Sequence, residues 1–298
     1  MVAGGTGWIG SALCKSLAAD GHAVVILSRS PGQQSLGRQV VWDGRSLGPW
    51  TSEIDAADAV VNLCGESIGA GRWTAARKAK LINSRVEPTA LLVQALGNAS
   101  AAPTRPRVLV NASAVGYYGD RGDEPLTEVE GPGLDFLARL VVQWERAARP
   151  AESAGVRVAL MRNAVVLGPG GGALRQLALP FRFFVGGPIG RAGAWFPWIH
   201  MDDVVGLLRR ALVDEQMAGP VNVAAGSATM RDLARDIGRA LHRPSWLPVP
   251  RLALRLLLGE LGEALTVSQR VVPERAIGLG YEFREPGIAR ALERSLAW

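Results

Sequence analysis

Gly4-Gly5-Thr6-Gly7-Trp8-Ile9-Gly10 constrains this chain more than any other stretch. Its glycines at i, i+3 and i+6 fall between a short apolar run (1–3) and an amphipathic segment (8–20), with the β-branched run AVVILS next (23–28). In a strand–turn–helix unit of this kind the first glycine permits a sharp turn and the second lets backbone approach a pyrophosphate. The third lets the helix pack closely on the strand. The helix N-terminus then offers free N–H groups and a positive dipole end to an anion. Gly4, Thr6, Gly7, Trp8, Ile9 and Gly10 are therefore expected to hold the diphosphate of a dinucleotide.

Short β-branched runs alternate with helical patterns, which argues for an α/β fold with a parallel sheet covered on both faces. Strands are expected near 1–3, 23–28, 39–42, 58–63, 107–112, 156–161 and 220–224, and helices over 8–20, 73–97, 134–149, 201–214, 229–242 and 287–296. With the glycine turn after the first strand, this order predicts a Rossmann doubly wound parallel sheet. From about 165 the alternation loosens into GPGGGALRQLALPFRFFVGGPIGRAG (168–193). The chain is expected to leave the sheet there, return around 195–225, and leave again. That places a dinucleotide-binding domain at 1–166 and 195–226, and a smaller discontinuous C-terminal substrate domain at 167–194 and 227–298.

The net charge of +6 does not make this a nucleic-acid binder. Three Lys stand against thirty Arg, the Arg are scattered among Asp and Glu, and no recognition motif accompanies them. The densest basic run, RWTAARKAK (72–80), reads as a solvated helix face or a phosphate contact. Cys14 and Cys64 fall in a helix and a strand without metal-ligand spacing, so no metal site is expected and both read as reduced thiols of a cytoplasmic protein. No charged-then-apolar leader precedes the first motif. The longest apolar stretch, 251–265, is broken by Arg255, Glu260 and Glu263, so no membrane span is expected. The partners expected are a small-molecule substrate and at most a second copy of the chain.

The second strand ends at Ser28-Arg29-Ser30, and no acid occurs between Asp20 and Asp43. A free ribose 2′-hydroxyl usually meets an Asp or Glu at this point. Arg29 offers instead a charge-assisted fork to a 2′-phosphate, with Ser28 as a short donor, which favours NADP(H). The fourth strand ends at Asn62-Leu63-Cys64-Gly65, where small residues would let backbone pass beside the cofactor ribose.

GGTGWIG (4–10), SRSPG (28–32), NLCGESI (62–68), ASAVGYYG (112–119), RNAVVLGPGGGAL (162–174), FRFFVGGPIG (181–190), FPWIHMDDVV (196–205) and GYEF (280–283) together resemble one family. It is the extended short-chain dehydrogenases/reductases, in the atypical epimerase-like subgroup of class 39U. The resemblance covers nearly the whole chain. It implies NADP(H) held by Ser28, Arg29, Leu63, Cys64, Arg85 and backbone near Val166, with Lys80 as a further contact. His200 in FPWIHMDDVV is expected to hydrogen-bond structurally rather than to transfer protons.

Typical members carry a Tyr and, four residues on, a Lys that lowers the phenol's pKa. That pair is absent here. The tyrosines are Tyr117, Tyr118 and Tyr281, followed four residues later by Arg121, Gly122 and Glu285, and no Lys occurs after Lys80. The helix where the pair belongs carries Phe136 and Leu140, or Leu137 and Val141, within an apolar stripe at 134, 137, 141, 144 and 148. Ser113, Tyr117 and Tyr118 are the remaining catalytic candidates, with Glu66 another ionisable group nearby. The 168–174 loop, Arg162 and Trp195–Trp198 are expected to shape a substrate cleft. Two functions follow: an NADP(H)-dependent oxidoreductase or epimerase-like protein acting on a small carbonyl or imine, or a non-catalytic NADP(H) sensor or scaffold, with a link to cell division.

Overall fold

The computed structural model describes residues 1–30, 32, 36–99 and 107–297. Pro31 of the SRSPG segment and Trp298 lie outside the described residues.

Seven parallel strands form the central sheet. The first, β1 (Val2–Ala3), lies between β2 (Val25–Ser28) and β4 (Ala59–Asn62), with β3 (Arg38–Val41) beyond β2. On the other side follow β5 (Val108–Ala114), β7 (Arg157–Asn163) and β10 (Gly219–Val223). The strand order therefore reverses between β1 and β4, where doubly wound sheets open a ligand crevice.

Both sheet faces are covered. Leu13 and Leu17 of α1 (Trp8–Ala19) and Val204, Leu207 and Leu208 of α6 (Met201–Val213) share one core. On the opposite face are Ile54 of α2 (Ser52–Asp55), Leu92 and Leu96 of α3 (Ala75–Asn98) and Ala148 of α4 (Phe136–Ala148). Burial on both faces explains why β5 reads VLVNASA, apolar or small at nearly every position.

Helix α4 starts later than the apolar stripe implied. Asp135 is its N-cap, accepting the Ala138 N–H at 2.8 Å, so Leu134 stays outside the helix and is 88% exposed. The cap chemistry overrode the periodicity.

The chain does not rejoin the large sheet at 195. Strand β9 (Trp195–His200) is the centre of a separate sheet, parallel to β8 (Val165–Leu167) and antiparallel to β11 (Gly226–Thr229). Return to the large sheet comes only at β10. Strands this short, with no alternation of buried and exposed residues, leave no period-two signal to read. Phe196 and Trp198 of β9 pack with α5 (Leu174–Arg182), α7 (Met230–Leu241) and α11 (Ile288–Leu296) in a core of their own.

A third pairing, β6 (Pro125–Leu126) with β12 (Arg270–Val271), ties the C-terminal region to the loop after β5. Helix α10 (Glu274–Gly278) follows it. Helices α8 (Arg251–Leu258) and α9 (Glu260–Ala264) bridge to the start of α3. Arg72 donates to the Leu256 carbonyl at 2.6 Å, and Lys78 pairs with Glu260. Among the described residues no helix is long and apolar enough to cross a membrane.

Candidate cofactor and substrate clefts

At the reversal point the exits of β1 and β4 touch through bare backbone. Gly4 has φ +77°, a left-handed conformation that glycine adopts without strain. A Cβ on Gly4 would lie 2.9 Å from the Leu63 carbonyl, and one on Gly10 would lie 2.2 Å from the Gly4 oxygen. Gly7, the N-cap of α1, has no side chain to cap with, and its carbonyl accepts the Ser11 N–H at 2.7 Å. As at any helix start, the N–H groups ahead of Ser11 have no intrahelical acceptor.

A cavity of about 1190 Å³ runs from this turn past Thr6, Ser28, Arg29 and Ser30 to Arg45 and Pro88. The Ser28 hydroxyl donates to the Ser30 carbonyl at 2.9 Å, shaping the exit of β2. Arg45 was not legible in the sequence. It comes from the loop after β3, where Asp43 Oδ1 accepts the Arg45 N–H at 2.8 Å, and nothing local marks it from a surface arginine. Lys80 also lines this cavity, pairing with Glu66 at 3.2 Å, while Arg77 holds the same carboxylate at 3.1 Å. Hydrogen bonds from Arg77 and then Lys80 keep the Glu66 carboxyl below its usual pKa, so it is an ionised strut, not an acid. Burial pushes the Cys64 thiol up to about 12, so it stays protonated.

A second cavity of about 870 Å³ adjoins the first and shares Gly4, Gly7, Leu63, Cys64, Gly65 and Ser67 with it. Trp8, Ile9, Gly10, Arg85 and Ser113 line it. Arg85 Nη2 donates to the Glu66 carbonyl at 2.9 Å and Nη1 to the Leu81 carbonyl at 3.0 Å, with the guanidinium 5.2 Å from the Trp144 ring. Its Nε is buried without a partner among the described residues, and burial lowers its pKa to about 10. Bare glycine backbone at the turn, cations at Arg29 and Arg45, and this orphaned donor beside Gly65 together fit a dinucleotide.

One expected contact lies behind the cleft walls. Asn62 is fully buried, and its amide donates to Thr89 Oγ1 at 2.8 Å and Asn111 Oδ1 at 2.7 Å. Its Oδ1 accepts the Cys64 N–H at 3.2 Å, so it shapes the β4 exit from beneath. The contact expected near Val166 is with backbone: its side chain turns into the core, and the adjacent Val165 lines the cavity.

The four helix positions where a Tyr and Lys would stand, Phe136, Leu137, Leu140 and Val141, all line the second cavity and place no ionisable group there. The tyrosine candidates require correction. Tyr118 is 0% exposed and lies outside both cavities. Its hydroxyl donates to Asn222 Oδ1 at 2.7 Å and accepts from Arg162 Nη1 at 3.0 Å, and burial pushes the phenol up to about 12. Tyr117 does not line the cavity either; its ring lies under the Arg162 guanidinium, 3.6 Å away. Ser113 reaches the wall but donates its hydrogen to buried Glu145 at 2.7 Å.

Arg162, 2% exposed, belongs to this buried network and not to the cleft wall. Burial opposes its charge, but Glu145 and Tyr118 outweigh that and hold its pKa above the usual value. The 168–172 loop folds onto Trp8, whose indole donates to the Pro169 carbonyl at 3.0 Å. Trp195, Phe196 and Pro197 do line the cavity. His200 caps α6, its Nδ1 accepting the Asp202 N–H at 3.2 Å, and burial lowers its pKa. No group of three or more metal-ligating side chains gathers among the described residues.

A model of the NAD dependent epimerase/dehydratase family matches residues 1–224, and a domain of unknown function, DUF1731, matches residues 249–295. The chain is 39% identical over 305 residues to epimerase family protein SDR39U1 of Bos taurus, covering 100% of this chain and 99% of the relative. It is 39% identical over 300 residues to the chloroplastic SDR39U1 homolog of Arabidopsis thaliana, covering 98% of this chain and 84% of the relative. Among solved structures, human epimerase family protein SDR39U1 (isoform 2) with NADPH matches at TM-score 0.87 and 35% identity, covering 99% of this chain and 98% of that chain.

Proposed function

The chain belongs to the NAD dependent epimerase/dehydratase family, and from that premise we propose that it is an NADP(H)-dependent oxidoreductase acting on a small carbonyl or imine. The observation that carries this reading is the continuity of the two cavities through Gly4, Gly7, Leu63, Cys64 and Gly65. A dinucleotide on the glycine turn has its adenosine half beside Arg29 and Arg45 and its other half beside a second, largely apolar chamber. Ligand pockets of open α/β sheets sit at this position.

Gly4, Thr6, Gly7 and Gly10 cradle the diphosphate in this reading. Ser28 and Arg29, joined by Arg45, meet the 2′-phosphate, and Leu63, Cys64, Gly65 and Arg85 flank the ribose and nicotinamide. The human relative solved with NADPH supports the choice of NADP(H). When bound, that cofactor supplies or accepts a hydride. The chain's own residues position it and exclude water with Phe136, Leu137 and Leu140. Two free cysteines, with burial raising the Cys14 thiol to about 11, suit a reducing compartment such as the cytoplasm.

A second reading, a non-catalytic NADP(H) sensor or scaffold, draws on the missing Tyr-x-x-x-Lys pair and the buried Tyr118 hydroxyl. Calorimetry with NADPH, followed by NADPH consumption against a panel of carbonyls and imines, separates the two. Binding with turnover supports the first reading, and tight binding with no turnover across the panel supports the second.

A further inference from the structure

We propose that the second cavity takes a protonated imine with an apolar body, reduced there to its amine, and not a nucleotide sugar; this rests on reading the site as an NADP(H)-dependent oxidoreductase. Its walls are Trp73, Phe136, Leu137, Leu140, Trp195 and Phe196, which suit an apolar body and the face-on approach of a delocalised cation.

Apart from Arg85 Nε, which lies without a partner among the described residues beside Gly65 on the cofactor side, the polar atoms set into those walls are left as acceptors. Asn163 gives its amide hydrogens to the Ser113 carbonyl at 3.3 Å and the Met161 carbonyl at 3.1 Å, and its Oδ1 is buried with no partner among the described residues. Ser113, its hydrogen committed to Glu145, presents lone pairs. Gln269 donates its amide to the carbonyls of Val115 and Gly119, both at 3.0 Å. The wall donors point elsewhere: the Trp73 indole to the Ile68 carbonyl at 3.0 Å and the Trp195 indole to Asp123.

Charge points the same way. Of the carboxylates that line the cavity, Asp120 pairs with Arg191, Glu260 with Lys78 and Glu263 with Arg255, which leaves Asp135 as the one with no ion-pair partner among the described residues. Arg85 is tied to the carbonyls of Leu81 and Glu66. Asp135 caps α4 through one oxygen, directly before Phe136. A nucleotide diphosphate would bring two more negative charges beside Asp135. A cationic N–H donor satisfies the acceptors and the charge together.

The chemistry closes without a side-chain acid. A hydride from a reduced nicotinamide adds to the carbon of R₂C=NHR′⁺, its electron pair forming the new C–H bond. The C=N π pair becomes the nitrogen lone pair, giving the neutral amine R₂CH–NHR′. No proton moves. A ketone treated the same way leaves an alkoxide that requires a donor, and Phe136, Leu137, Leu140 and Val141 offer none.

The test uses the full chain with 3,4-dihydroisoquinoline as imine, 1-tetralone as the matched ketone, and UDP-glucose. Tetrahydroisoquinoline is titrated into the protein with NADP⁺, followed by calorimetry and by quenching of tryptophan fluorescence. The amine is expected to bind at least tenfold more tightly than tetralone or UDP-glucose. Asp135→Asn, which keeps a good N-cap, is expected to weaken it about tenfold (about 1.4 kcal/mol), and NADPH is expected to be consumed with the imine alone. Turnover of the ketone without the imine, preference for UDP-glucose, or unchanged amine affinity in D135N would overturn the imine assignment while leaving the oxidoreductase reading in place. NADPH binding with no consumption by imine or ketone would overturn both.

Discussion

The Ser113 hydroxyl donates to Glu145 Oε1 at 2.7 Å, joining the end of β5 to α4. The same carboxylate accepts Arg162 Nε at 2.8 Å and Nη2 at 3.0 Å, which brings in β7. Arg162 passes the connection to Tyr118, and Tyr118 to Asn222 on β10. Three adjacent strands and a helix are thus pinned at the edge of the cleft by one buried polar chain.

That chain predicts unequal costs for its two ends. Glu145→Gln leaves the buried Arg162 guanidinium unpaired and is expected to cost about 3–5 kcal/mol. Ser113→Ala removes one hydrogen bond and is expected to cost about 1 kcal/mol. Urea denaturation measures both; equal costs would show that the ion pair is not what holds the site edge.

Arg29→Ala is expected to raise the Kd for NADPH about 10- to 100-fold, the worth of a hydrogen bond to a charged group. NADH affinity should change little, because the loss is confined to the 2′-phosphate. Calorimetry with both cofactors checks this, and equal losses would move the 2′-phosphate away from Arg29.

His200 links stability to pH. Burial lowers its pKa in the folded protein below the ordinary 6.5, so the unfolded chain binds the extra proton first. Stability from this group is present above about pH 6.5 and is lost as pH falls toward the folded-state pKa. His200→Asn keeps an N-cap acceptor without titrating. Melting temperature is expected to fall more steeply below pH 6.5 in the wild type than in H200N.

Gly171→Ala tests the seating of the 168–172 loop. A Cβ there would lie 2.6 Å from the Trp8 ring. Overpacking of this kind costs about 1–3 kcal/mol, and displacement of Trp8 at the start of α1 should also weaken NADPH binding. Thermal melts with and without NADPH separate the two effects.

The glycine turn, the parallel sheet and the absence of a Tyr-x-x-x-Lys pair are legible in the sequence alone. These depend on local spacing, such as glycines three apart or a four-residue offset, and local spacing survives without knowledge of what packs nearby. The sequence also placed Arg29, Arg85 and Ser113 at the cleft. It takes the closed fold to lock Tyr118 between Arg162 and Asn222, to bring Arg45 to the first cavity and to set Asn62 beneath the β4 exit. Each of those facts joins residues distant in the chain. A phenol in YYGD reads alike whether it faces solvent or Asn222, more than a hundred positions away. Burial and partner choice are set when strands and helices close over one another, which also left the walls of the second cavity apolar.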